Sequence, residues 1–258
     1  MGKLGKKRIL LKIGTNVLTK GTNNISRGKI EDIAQQIAFL KNEYEFVIVS
    51  SGAIAAAKQF VNLEANGKEI NVKQALASIG QPHLMRIFQE NFRELGLLTS
   101  QCLLSYSDFE RDQSKINIVN TINVLVENSY IPIINENDTV ATDEIKFGDN
   151  DKLSALTAAL LHVDLLIIAT NTDGIYTKES IAVNGEKTIR ETSDIKLLRN
   201  QIQQSISIHG TGGMTTKIEA AEIAQKATIE TWIVNGLNDN FIINAMNNKT
   251  VFTKITIL

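Results

Sequence analysis

Short apolar runs recur along the chain, and segments with apolar residues every three or four positions separate them. Runs at 8–13, 46–50 and 165–169 are apolar at nearly every position, and 97–104, 130–135 and 231–234 read as further strands. A strand apolar on both faces belongs in a sheet covered on both sides, which in practice means a parallel sheet. Between them, 26–41 places Ile30, Ile33, Ala34 and Ile37 on one helical face, with Ser26 positioned as N-cap. The segment 82–95 aligns Leu84, Ile87, Phe88, Phe92 and Leu95, and Pro82 fits its first turn. Segments 108–128, 151–161 and 216–227 read as helices, and one more helix and strand close the chain. This alternation predicts an α/β fold, a three-layer αβα sandwich around a central, mainly parallel open sheet. The stretch 177–194 is polar with mixed spacing and reads as a hairpin or an excursion beside a site. No repeat, low-complexity segment or linker divides the chain, so 1–258 is expected to form one domain.

Composition narrows the ligands. With 27 Lys and Arg against 28 Asp and Glu, the net charge is −1. No global basic field draws in nucleic acid or an anionic membrane, so any anion must be held by local geometry. Cys102 is the only cysteine, which rules out an intrachain disulfide or a cysteine zinc site; it reads as a small buried residue. No apolar stretch reaches the ~20 residues of a membrane helix, and no secretory signal is evident, so the chain reads as cytoplasmic. His83, His162 and His209 show no ligand spacing, and Trp232 reads as core.

Polar clusters follow the strands, where ligands collect in open α/β sheets. They are Lys12-Ile13-Gly14-Thr15, Ser50-Ser51-Gly52-Ala53, Asn135-Glu136-Asn137-Asp138 and Thr170-Asn171-Thr172-Asp173-Gly174. Two more precede helices: Gly148-Asp149-Asn150-Asp151 and Gly210-Thr211-Gly212-Gly213-Met214-Thr215-Thr216-Lys217. Glycines let backbone N–H groups approach an anion, and a helix N-terminus adds unpaired N–H groups. Segment 210–217 is therefore a candidate phosphate cradle with a cation at its edge. The Walker pattern is absent, and the Gly-x-Gly-x-x-Gly spacing of dinucleotide binding is not met.

These collinear motifs resemble those of the amino acid kinase family, over nearly the whole chain. Within it they sit nearest the branch that phosphorylates the γ-carboxylate of L-glutamate with ATP, the first step of proline biosynthesis. The resemblance implies that Lys12 and Lys217 contact the transferring phosphoryl group and that Asp151 holds the two lysines. It implies that Ser51, Gly52, Asp138 and Asn150 surround glutamate, Gly52 with Gly14 lending N–H groups to the phosphoryl group. Thr170, Asn171, Thr211, Gly212, Gly213, Met214, Thr215 and Thr216 would lie along ATP. The nucleotide part would begin near residue 165, after an amino-acid-binding part. Mg²⁺ would be held mainly by the ATP phosphates, with Asp149 or Asp151 able to help order it. Proline as a feedback inhibitor, and a homodimer or homotetramer, are also implied. Relatives that continue into an RNA-modification-type (PUA) domain differ from this chain, which stops at Leu258. The pattern departs from the family at Asn171, where aspartate is usual, and at Ala57, where glycine often stands.

The residue types suit this chemistry independently. A carboxylate is already ionised at neutral pH and needs no general base. The demand is to bring an anion to a polyanion, which two lysines, backbone N–H groups and Mg²⁺ meet. Asp138 suits an α-ammonium group. Rival readings are another acid kinase of the same fold, a non-catalytic amino-acid or nucleotide sensor, and a dinucleotide-dependent oxidoreductase. The retained lysines argue against the second, and the missing fingerprint against the third.

Overall fold

The strands form where apolar runs can be buried on both faces. In the computed structural model, which describes residues 5–63, 70–140, 150–177, 187–202 and 213–257, β1 (Lys7–Ile13), β2 (Tyr44–Ser50), β3 (Leu98–Leu104), β4 (Tyr130–Glu136), β5 (Leu165–Thr170), β6 (Glu191–Thr192), β7 (Glu230–Asn235) and β8 (Phe252–Ile255) join one sheet. Their order is β3-β4-β2-β1-β5-β7-β8-β6. Pairing is parallel except at β7–β8, which is antiparallel. The mainly parallel sandwich predicted from the sequence is observed.

Period-2 alternation sorts β1 between two cores. Ile9, Leu11 and Ile13 pack with α2 (Arg27–Leu40), α4 (Ile70–Glu94) and α9 (Phe241–Met246). Leu10 packs the other way, with α5 (Asp112–Glu127), α6 (Asp151–Leu161) and α8 (Gly213–Lys226). Lys12 follows Leu10 on that second face, so the fold aims it at α6 and α8. A smaller cluster joins α8 to α7 (Ile195–Ile202) through Ile218 and Leu198. Two short helices, α1 (Thr15–Leu18) and α3 (Ala53–Lys58), follow β1 and β2 directly. No described helix is long and apolar enough to cross a membrane.

Several local expectations need correction. Pro82 does not open a helix: α4 starts at Ile70 and carries Pro82 in its interior. The apolar face of 82–95 is real, but the twelve residues before it are more polar and hid the helix start. Segment 108–128 is two elements, a 3₁₀ turn at Tyr106–Phe109 capped by Ser105 and then α5. Trp232 is only half-buried, packing against the edge of the first core, and its indole N–H donates to Glu230 at 2.6 Å. Cys102 is also only half-buried. Of 177–194, the described ends are tied together: Tyr176 bridges Thr188, and Thr177 N–H donates to Lys187 at 3.0 Å. By contrast, Ser26 caps α2 as expected, accepting from Lys29 N–H at 3.2 Å.

Candidate active site

Lys12 is the penultimate residue of β1, with 2% of its surface exposed. Its ammonium lies 2.5 Å from Asp151 Oδ1, and the carboxylate is fully buried at the first position of α6. The positive end of that helix favours an anion there. The other oxygen of the same carboxylate meets Lys217 Nζ at 2.9 Å. It also accepts from Thr216 Oγ1 at 2.9 Å. Lys217 reaches back to Gly213 O, 2.7 Å away, and is itself buried. Small residues make this possible: Ala155 and Ala158 of α6, with Ala220 and Ala224 of α8, sit in one core cluster and let the two helices approach. The structure thus gathers the three residues expected to be catalytic. Gly14 lies next to this cluster: a Cβ built there would sit in ordinary van der Waals contact with the Lys12 ammonium, 3.6 Å away.

A cavity of about 620 Å³ adjoins this cluster, walled by the turns after β1 and β2 and by the end of β4. Ser51, Gly52, Asn135 and Asp138 line it, as do Lys58 and Lys73. Gly52 takes φ 98°, a left-handed conformation that suits glycine, and starts α3. Burial, and then the neighbouring Glu136 carboxylate, push the Asp138 carboxyl up to about 6. Asn150 does not line the cavity. It lies fully buried behind the wall, and its Nδ2 donates to Ser50 O at 2.7 Å and Asn135 Oδ1 at 2.8 Å, with Ser51 Oγ at 3.2 Å. Asn135 is the residue that the sequence reading passed over. It stood in a quoted motif, but only the fold shows that it, and not Asn150, reaches the cavity.

The expected nucleotide residues are split. Gly213, Met214, Thr215 and Thr216 open α8, and Met214 packs on the cluster of Ile175 and Ile218. Thr211, Gly212, His209, Gly148 and Asp149 lie outside the described residues. Thr170 is buried at the end of β5, where its carbonyl accepts from Gly236 N–H at 2.7 Å, and Asn171 is exposed beside it. The next turn is anchored to β7 and β8, through Asn235 to Asp173 at 2.9 Å and Ile175 N–H to Thr253 at 2.7 Å. Among the described residues no group of His, Cys, Asp and Glu could hold a metal. Both Asp151 oxygens are engaged by ammonium groups. The donor set fits Mg²⁺ carried on phosphate oxygens better than Mg²⁺ in a protein cage.

Comparison with known proteins identifies the family and the fold. The amino acid kinase family model matches residues 7–235. Curated relatives include the glutamate 5-kinase of Shewanella woodyi, 38% identical over all of this chain and 70% of its own length. That of Vibrio vulnificus is 41% identical over 93% of this chain and 64% of its own length. That of Alkaliphilus oremlandii is 38% identical over 96% and 95%. The chain therefore spans about two-thirds of the first two relatives and nearly all of the third. Among solved structures, UMP kinase from Ureaplasma parvum superposes with a TM-score of 0.67 at 17% identity, covering 98% of this chain and 100% of that one. Carbamate kinase from Giardia lamblia gives 0.69 at 15%, covering 98% and 99%. At those identities the likeness concerns the fold alone.

Proposed function

This chain belongs to the amino acid kinase family, and on that premise we propose that it transfers the γ-phosphoryl group of ATP to the γ-carboxylate of L-glutamate. The products are L-glutamyl 5-phosphate and ADP, and the reaction opens proline biosynthesis. A carboxylate oxygen forms a bond to the γ-phosphorus as the bond to the β,γ-bridging oxygen breaks. No proton moves, because the acceptor carboxylate is already ionised at neutral pH and needs no general base.

The observation that carries this reading is the meeting of the Lys12 and Lys217 ammonium groups on one buried carboxylate. Two ammonium groups fixed a few ångströms apart, away from bulk water, can stabilise charge on the phosphoryl oxygens of the transition state. Asp151 acts on the reaction by positioning them. The first turn of α8 and the turns at Gly14 and Gly52 supply backbone N–H groups. Mg²⁺, held by the phosphates of ATP, would neutralise further charge on them. In the adjoining cavity Asp138 pairs with the α-ammonium of glutamate, and Asn135 offers an N–H to its α-carboxylate. Proline presents an α-carboxylate beside a secondary ammonium, so feedback inhibition would act at this cavity.

The acceptor is chosen on the names of the curated relatives and on the acidic Asp138 in the cavity. The test is ATP-dependent ADP release across glutamate, aspartate, carbamate and UMP, with hydroxylamine trapping of the acyl phosphate formed from glutamate and aspartate. Strong trapping with glutamate and little with aspartate is expected. Equal turnover of both, or of neither, overturns the assignment.

A further inference from the structure

The interior of α4 carries the sequence Gly80-Gln81-Pro82, which the chemistry above leaves unused. Gly80 presses the helix onto α3: a Cβ there would lie 1.8 Å from Ala53 O and 2.7 Å from Ala57 N. That contact sits directly behind the Ser51–Gly52 turn of the cavity. Pro82 has no N–H, so one rung of the helix is missing beside Gln81. Gln81 is 8% exposed and reaches the end of β4, where its Oε1 accepts from Asn135 Nδ2 at 2.8 Å. Its Nε2 donates outward to Gln101 Oε1 at 3.1 Å.

The direction of this chain of amides is not interchangeable. Asn135 Oδ1 accepts from the backbone N–H of Glu136 at 2.9 Å, a group that can only donate. Asn150 Nδ2 donates to the backbone carbonyl of Ser50, a group that can only accept. Asn135 Oδ1 therefore spends both lone pairs, on Glu136 and on Asn150. One of its two Nδ2 hydrogens goes to Gln81. The other is the one hydrogen-bonding capacity left on a side chain that is 2% exposed and lines the cavity.

We propose that Gln81 is a positioning residue for the amino-acid substrate: by taking one Asn135 hydrogen, it holds the second toward the cavity, where it donates to a substrate carboxylate oxygen. The inference rests on the glutamate reading above and deepens it. Gln81 touches no substrate and acts through Asn135. Its location on α4, fixed by the Gly80 contact with α3, links that helix to acceptor recognition.

The experiment compares Gln81→Met with the unsubstituted full chain, measuring kcat and the KM values for glutamate and ATP, with thermal protection by each ligand. Methionine keeps the length of the side chain and removes the acceptor. The glutamate KM should rise roughly two- to tenfold, the range set by loss of one intramolecular hydrogen bond. The ATP KM and kcat should stay near their original values, and protection by glutamate should weaken while protection by ATP persists. A purely structural role would lower the melting temperature without this split, and an unmoved glutamate KM overturns the relay alone. If the unsubstituted chain does not turn over glutamate, the functional reading and the relay both fall. Should Gln81→Met not fold, Gln101→Leu tests the same chain from its exposed end. It should raise the glutamate KM about twofold, and no change would refute the relay.

Discussion

Lys12 and Asp151 meet at 2.5 Å, one at the end of the central strand and the other at the start of a helix far along the chain, with both side chains buried. The carboxylate is shared with Lys217, so the three residues form one unit whose parts cannot be removed independently. Asp151→Asn leaves two buried ammonium groups facing an amide. Breaking a buried ion pair by removing one partner costs on the order of 3–5 kcal/mol, and the stability loss should fall in that range. Turnover should drop at least a hundredfold. Chemical denaturation and the acyl-phosphate assay measure the two effects, and near-normal turnover would refute the shared role.

Lys217→Ala separates chemistry from acceptor binding. It removes a phosphoryl-facing ammonium and leaves the cavity wall untouched, so kcat should fall strongly while glutamate still raises the melting temperature. A variant that turns over normally at saturation but no longer responds to glutamate would place Lys217 in the wrong half of the site.

Two glycines near the site should respond oppositely to alanine. At Gly80 an added methyl meets the Ala53 carbonyl at 1.8 Å, backbone against backbone. Gly80→Ala should lose several kcal/mol, the upper end of the cost of overpacking. At Gly213 nothing among the described residues lies within 4 Å of the added Cβ. Gly213→Ala, in the first turn of α8, should be neutral or stabilising by up to about 1 kcal/mol. Paired melting curves decide it, and similar effects at both positions would contradict the packing.

The same contrast explains what could be read from the chain. Lys12 was legible because a lysine set among apolar strand residues just before a glycine is costly unless it has a task. Asp151 and segment 213–217 were legible as polar clusters opening helices. The start of α4 was not, because its first turns lack a strong apolar stripe and the proline at mid-helix reads as a helix start. Asn135 and Asn150 could not be ranked by sequence, since both stand in polar motifs at element ends. Which one faces the cavity depends on how β4 and α6 pack beside β2, and that is a property of the sheet order. Gln81 gave no local signal, because its meaning lies in a strand end distant in sequence.

Lys29 offers a test away from the chemistry. It is fully buried on α2, and its three donors are filled by Asp32 at 3.0 Å, Asn238 O at 2.9 Å and Asp239 at 3.2 Å. It thereby ties α2 to the segment between β7 and α9. Lys29→Met keeps the volume and abandons those acceptors, so stability should fall by about 3 kcal/mol with kcat per folded molecule unchanged. A denaturation midpoint equal to that of the unsubstituted chain would show that the clasp contributes nothing.

Asp138 couples pH to both stability and substrate. Its carboxyl is raised from 3.8 to about 6, first by burial and then by Glu136. Between those values the unfolded chain has released the proton and the folded chain retains it. The folded state therefore binds more protons, and its stability from this group declines as pH rises from about 4 to 6. Glutamate binding runs the other way, because only the ionised carboxylate pairs with an ammonium. The glutamate KM should climb as pH drops below about 6, approaching tenfold per pH unit. Asp138→Asn should flatten that dependence, raise the KM at pH 7.5 by roughly tenfold or more, and leave the unliganded protein at least as stable. This pairing of weaker binding with retained stability is what a desolvated ligand carboxylate predicts, and a structural ion-pair partner would show the reverse. KM profiles from pH 5 to 8, with melting curves over the same range, distinguish the two.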